Sequence, residues 1–314
     1  MNTIGNSSGS PFGRRSGGGG FSLRWIIPLL FAAYAAFSWF GSAQVDPYTG
    51  EKAHYGTTPE EDKVLGGQAF QQVVGEAQQQ GALLPENTQV SQQIRTIAQR
   101  LINKVPAVAT ELATQNKQPV PDSYKNFEWN VAVIQSDQEN AFCLPGGKMA
   151  VYTGLLPVTQ NENAMAVVMG HEIAHALLRH SSQRMAQDKL VQMGQMATGV
   201  AMSGMDPGSQ RAIMGALGAG AQYGLILPYG RNQESQADQV GLMLAAAACY
   251  NPEEAIPLWE RMGQIGGGER PPEFASTHPD PANRMQRLSQ LMPAAKAFYS
   301  KYCGGGAAAT GSTF

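Results

Sequence analysis

The chain has 314 residues, 22 Lys plus Arg against 24 Asp plus Glu, and a formal net charge of −2. That length holds one good-sized domain with extensions. The near-neutral charge excludes a nucleic-acid partner held through phosphate contacts.

In chain order, residues 1–20 are mostly Gly, Ser, Asn and Arg and read as a disordered tail. Residues 21–42 form an apolar run whose only charge is Arg24, with Trp25, Trp39 and Phe40 near its ends. A spanning helix needs about 20 such residues, and the run reaches that length if Arg24 snorkels to the headgroups. It reads as a retained transmembrane anchor, and alternatively as a signal segment cut after Ala43. Arg14, Arg15 and Arg24 precede its uncharged part, Trp25 to Phe40, and Asp46, Glu51, Glu60, Glu61 and Asp62 follow it. The positive-inside rule therefore places the body of the chain outside the cytoplasm. That means an inner-membrane anchor with the domain in the periplasm or, after cleavage, release into the periplasm.

Residues 43–58, with Pro47, Gly50 and Gly56, read as a polar linker to a domain over 59–303. Amphipathic helices are predicted near Pro59–Gln79 and Asn87–Lys104. Trp129–Gln135 reads as a strand. Ala141–Leu144 and Lys148–Tyr152 read as two more, joined by the turn Pro145-Gly146-Gly147. A small sheet thus precedes the next segment, Asn163 to His180, which reads as one helix with apolar Ala164, Val167, Val168, Ile173 and Leu177.

That helix carries His171-Glu172-Ile173-Ala174-His175, in a chain with only five histidines. Histidines four apart on a helix face the same way, so His171 and His175 can hold one Zn2+ ion. Glu172 then reaches a water at that metal as a general base. A third ligand is still required. The three-histidine extension needs Gly at 178 and His at 181, where this chain has Leu178 and Ser181. His180 reads instead as a helix-end residue near the dipole.

Residues Met185 to Met202 read as a Met-rich helix, and Ala212 to Pro228 as too irregular to span a membrane. Core packing is the first reading for these methionines, and a lid or membrane-touching hairpin the second. Further on, Glu234 and Asp238 lie four apart on one helix face. Glu234 supplies the third metal ligand, and Asp238 accepts a hydrogen bond from the free ring nitrogen of His171. Of Cys143, Cys249 and Cys303, an oxidising compartment pairs two, and Cys249 with Cys303 could staple the C-terminal region. The loop Ser276 to Arg284 offers His278 and Arg284 as catalytic donors to an oxyanion. Residues 304–314 read as a second disordered tail.

Three stretches together, H-E-I-A-H, L-P-Y-G-R-N-Q-E-S-Q-A-D and S-T-H-P-D-P-A-N-R, resemble the CAAX-prenyl-protease and Oma-type metallopeptidase family. Asn140 to Gly147, ahead of the motif helix, fits the same family. Within it the chain is most similar to single-domain periplasmic quality-control proteases, over roughly residues 60 to 295. Cys143 is a departure, since family members carry a small residue there. The resemblance implies an α+β, mainly helical, zincin-like (gluzincin) domain with a small sheet beside the active-site helix, preceded by one N-terminal hydrophobic helix. It implies a zinc metalloendopeptidase that cleaves unfolded or misassembled cell-envelope proteins. The alternatives are a latent or chaperone-like zinc-binding protein and a processing peptidase with a narrow membrane-associated substrate. Implied partners are polypeptide substrates, the membrane through the N-terminal helix, and envelope assembly machinery. The resemblance also implies that Asn140, Ala141, Phe142 and Cys143 form an edge strand that binds an extended substrate. It makes His278 a candidate fourth zinc ligand that holds the enzyme latent.

Overall fold

The computed structural model describes residues 26–203, 205–222, 226–264, 274, 278, 281–304 and 312–314. The expected tail over 1–20 and the start of the apolar run lie outside these residues. Helix α1 (Ile26–Gly41) leads into an antiparallel hairpin of β1 (Ala43–Val45) and β2 (Lys52–His54). The segment read as a linker is thus a folded hairpin, for a local reason. The buried Asp46 carboxylate accepts the N–H groups of Tyr48 (2.9 Å) and Thr49 (3.1 Å) and the Tyr55 hydroxyl (3.0 Å). Such a bonded side chain sets a turn without help from glycine or proline. Burial pushes the Asp46 carboxyl up to about 6, against bonds that favour its charged form.

Helix α2 (Pro59–Gln79) starts at a reciprocal cap. Thr58 Oγ1 accepts the Glu61 N–H, and Glu61 Oε2 accepts the Thr58 N–H. Helices α3 (Gln89–Ile102) and α4 (Val105–Gln115) follow, with α3 burying Ile94, Ile97 and Leu101. Strands β3 (Asn130–Ile134), β4 (Ala141–Leu144) and β5 (Lys148–Tyr152) form a sheet in the order β3-β5-β4. Strand β3 runs parallel to β5, and β4 runs antiparallel with Phe142 opposite Ala150. Gly146 and Gly147 turn the chain between β4 and β5 at φ of 76° and 83°, which side-chain-bearing residues seldom adopt.

After the short α5 (Leu156–Thr159), Asn161 caps α6 (Glu162–Leu177) by accepting the Ala164 N–H. Every residue of α6 from Asn163 to Leu177 is buried. Apart from Asn163, His171, Glu172 and His175 these residues are apolar or glycine, as a core helix requires, and α6 packs among β4, α3 and α9 (Leu227–Ala247). It ends before His180, not at it. Arg179 takes a left-handed φ of 54°, and α7 (His180–Ala201) starts immediately afterwards.

Helix α8 (Pro207–Ala221) forms despite its glycines, buries none of its residues and, at 15 residues, is not a membrane span, as expected of this stretch. Asp206 caps it by accepting the Gly208 and Ser209 N–H groups. Met202 is buried whereas Met196 is exposed, so core packing accounts for only some of the methionines of this region. Helix α10 (Ala255–Gln264) and the last helix, α11 (Pro281–Cys303), close the fold, and a disulfide joins Cys249 to Cys303. Residues 305–311 of the expected C-terminal tail lie outside the described residues. Its end is tied down: Thr313 bridges to Asn161, and Phe314 packs on the core.

Candidate metal centre

Three elements converge on one point. His171 and His175 stand one turn apart on α6, Glu234 and Asp238 one turn apart on α9, and His278 precedes α11. His171 Nε2 lies 3.0 Å from His175 Nε2 and 3.2 Å from Glu234 Oε2. His175 Nε2 lies 3.4 Å from Glu234 Oε1. His278 Nδ1 lies 3.1 Å from Glu234 Oε2 and 3.4 Å from His171 Nε2. Ligand atoms at the corners of a tetrahedron with arms of about 2.0–2.1 Å sit roughly 3.3–3.4 Å apart. Two imidazole nitrogens, a carboxylate and a third imidazole at these spacings can hold one metal ion, and the N/O donor set suits zinc.

The surrounding groups fit the same ion. Glu172 is 2% exposed, and its Oε1 has no hydrogen-bond partner. His278 Nε2 lies 3.5 Å from that oxygen. A buried, unpartnered carboxylate oxygen is costly unless it serves chemistry. Burial raises the Glu172 carboxyl above its ordinary range, opposed by the nearby His278 and His171. Burial pushes Glu234 the same way, but hydrogen bonds from His171, His175 and His278 outweigh it and hold that carboxyl far below the ordinary range. Burial and Arg284 oppose charge on His171, yet bonds to Asp238 and Glu234 raise it to about 9.

His171 Nδ1 donates to Asp238 Oδ1 at 2.9 Å, which fixes the ring with Nε2 toward the cluster. Arg284 is 1% exposed, stacks on Trp259 and donates to the same Asp238 oxygen through Nε (3.1 Å) and Nη2 (2.5 Å). Two of its nitrogens thus hold Asp238, while Nη1 faces the His278 carbonyl at 3.4 Å.

Strand β4 lies at the sheet edge beside α6. Tyr152 N–H donates to Asn140 O, so by antiparallel alternation the backbone groups of Ala141 and Cys143 face away from β5. No other described strand pairs with that edge. Cys143 is a buried free thiol, and burial and the Glu172 charge push it up.

His180, read as a helix-end residue, is fully buried, and its Nδ1 lies 2.7 Å from His175 Nδ1. Burial pushes it down to about 3, so the ring is neutral. Nothing in the spacing signals this partnership, because it depends on the break at Arg179.

A profile of peptidase family M48 matches residues 99–292, a span that takes in all four clustered donors, Glu172, Asp238 and Arg284. The chain belongs to peptidase family M48. Among curated M48-type relatives, the mitochondrial metalloendopeptidase OMA1 of Schizosaccharomyces pombe is 36% identical over 175 residues, 54% of this chain and 49% of that protein. OMA1 of Saccharomyces cerevisiae is 28% identical over 247 residues, 76% of this chain and 65% of that protein. The beta-barrel assembly-enhancing protease of Escherichia coli is 28% identical over 170 residues, 51% of this chain and 34% of that protein. The chain spans about half the length of the first of these relatives.

The M48 relatives correct the expected placement in the periplasm at an inner membrane. The more similar ones are mitochondrial proteins by name. Among the described residues, no helix is long and apolar enough to cross a membrane. Helix α1 has 16 residues. At 1.5 Å per residue it is about 24 Å long, short of a hydrocarbon core of about 30 Å.

Proposed function

We propose that the chain is a zinc-dependent endopeptidase that cuts unfolded or misassembled polypeptides, as a quality-control protease does. The observation that carries this reading is Glu172 Oε1, buried and unpartnered beside a four-donor cluster. His171, His175 and Glu234 would hold a zinc ion, whose chemistry there would be Lewis-acid polarisation of a peptide carbonyl and of a water. Glu172 takes the water's proton and passes it to the departing amine. Such a shuttle needs a carboxyl that binds protons more readily than a solvated one, and burial moves Glu172 that way. Asp238 keeps His171 in the tautomer that leaves Nε2 free, and Arg284 keeps Asp238 in place.

The outward backbone groups of Ala141 and Cys143 would bind an extended substrate by strand addition. That mode reads backbone more than side chains, which suits a protease of unfolded chains. An apolar cavity of about 320 Å³ adjoins His278 and Arg284, lined also by Trp259, Met262 and Met285. It suits an apolar substrate side chain.

One observation favours a second reading, in which this same enzyme rests in a latent state. His278 Nδ1 stands where a fourth ligand belongs, and catalytic zinc sites keep that place for water or substrate. Incubating the purified chain with casein tests the main reading. Cleavage should stop with a chelator and return with added zinc, whereas chelator-insensitive cleavage would refute it.

A further inference from the structure

A chain of hydrogen bonds leads away from the metal centre on the side of His175. His175 Nδ1 lies 2.7 Å from His180 Nδ1, and His180 Nε2 lies 3.1 Å from Gln236 Oε1. Gln236 Nε2 donates to Glu51 Oε2 at 2.7 Å, and Asn232 Nδ2 donates to the same oxygen at 2.9 Å. His175, His180 and Gln236 are buried, whereas Glu51 lies at the surface, next to β2.

The direction of every bond in this chain follows from its outer end. A carboxylate only accepts hydrogen bonds, so Gln236 must turn its nitrogen to Glu51 and its oxygen to His180. His180 Nε2 must then donate. In a neutral imidazole the other nitrogen accepts, so His180 Nδ1 takes the proton of His175 Nδ1–H. That leaves His175 Nε2 without a proton, its lone pair aimed at His171 and Glu234. With both rings neutral, this is the assignment that satisfies all four groups. Had Gln236 presented its nitrogen to His180, the polarity would reverse and place a proton on the His175 nitrogen that faces the metal centre.

The backbone is shaped for this contact. Five residues along an unbroken helix, His180 would stand about 140° round the axis from His175. The left-handed Arg179 redirects the chain and brings the ring behind His175. Arg179 is held in place by Asp62, its Nε 2.6 Å from Oδ2, and by the Thr57 carbonyl. A left-handed conformation is unfavourable for a non-glycine residue, and here these bonds sustain it.

We propose that His180 is a positioning residue which, with Gln236 and Glu51, fixes the His175 tautomer that binds metal and so sets zinc affinity from the β1–β2 hairpin. The inference rests on His171, His175 and Glu234 being zinc ligands. Asp238 does the equivalent for His171, so both imidazoles would be held from behind, one by a carboxylate directly and the other through a relay.

The test is the zinc dissociation constant of the full chain, measured by competition with a chromogenic chelator, alongside the melting temperature of the metal-free protein. His180→Ala should weaken zinc binding roughly 10–100-fold, the usual effect of losing a partner behind a metal ligand. His180→Asn, whose amide oxygen can accept in place of Nδ1, should recover most of that loss. Glu51→Gln lies at the surface and leaves the fold intact. By allowing Gln236 to turn over, it should weaken zinc binding measurably, though less than His180→Ala. Unchanged affinity in Glu51→Gln, or equal losses in the Ala and Asn variants, would overturn the relay, since packing alone would then explain His180. If the wild-type chain itself binds no zinc, the metal-centre reading fails. If it binds zinc and all variants match it, only the relay fails.

Discussion

Gly170 of α6 and Gly241 of α9 lie back to back where the two helices cross. A Cβ on Gly170 would meet the Gly241 carbonyl oxygen at 2.7 Å, and one on Gly241 would meet the His171 amide nitrogen at 2.6 Å. Both obstacles are backbone, so neither can turn aside. The crossing at these two glycines brings Glu234 and Asp238, on the turns before Gly241, against His171 and His175.

Gly241→Ala should therefore act on the metal centre without touching a ligand. Overpacking a crossing of this kind costs about 1–3 kcal/mol, and a shift of α9 opens the spacing between Glu234 and the histidines. The expected result is a folded protein whose zinc affinity falls by about tenfold or more. Isothermal titration with zinc checks it, and wild-type affinity in the variant would show that α9 can move without consequence.

His278→Ala should raise casein cleavage at unchanged zinc content. A resting contact worth ~1.4 kcal/mol masks activity roughly tenfold, so an increase of that order is expected. A fall in the rate constant instead would assign His278 to the reacting atoms, beside Glu172.

Asp46 makes stability depend on pH in a stated direction. Its folded value of about 6 lies above the unfolded value of about 3.9. A raised carboxyl contributes stability that is full below about pH 4 and is lost as the pH rises through about 6, some ~3 kcal/mol in all. Asp46→Asn mimics the protonated form and keeps an oxygen for the Tyr48 and Thr49 N–H groups. Its melting temperature should match wild type near pH 4 and exceed it at pH 7. Parallel pH profiles in calorimetry would contradict this.

The disulfide closes a loop with a sequence separation of 54 residues between Cys249 and Cys303. Loop-closure entropy for that length amounts to about 4 kcal/mol. The Cys249→Ser, Cys303→Ser double variant should melt on the order of 10 °C lower. An unchanged melting temperature would mean the ends of α9 and α11 stay together without the bond.

What was legible in the sequence was what a fixed local period controls. His171 with His175, and Glu234 with Asp238, each share a helix face through four-residue spacing alone. The bounds of α2, β4 and β5 follow from caps, alternation and the Gly146-Gly147 turn. What depends on distant chain was not legible. The place of His180 rests on a left-handed Arg179, itself held by Asp62 more than a hundred residues earlier. Glu51 meets Gln236 only because the segment read as a linker folds on Asp46. The bonds from Arg284 to Asp238 and its stacking on Trp259 join segments far apart in the chain, which no local spacing signals. Helix α8 overrides its glycines with a capped start at Asp206.

The most direct test of the central claim compares the wild-type chain with Glu172→Gln, measuring bound zinc by atomic absorption and casein cleavage under the same conditions. The metal ligands are untouched by the substitution, so both proteins should bind one zinc ion per chain. Cleavage should fall by two or more orders of magnitude in the variant, the contribution of a general base being about 10²–10⁴-fold. Cleavage by Glu172→Gln at the wild-type rate, with zinc bound, would contradict the account.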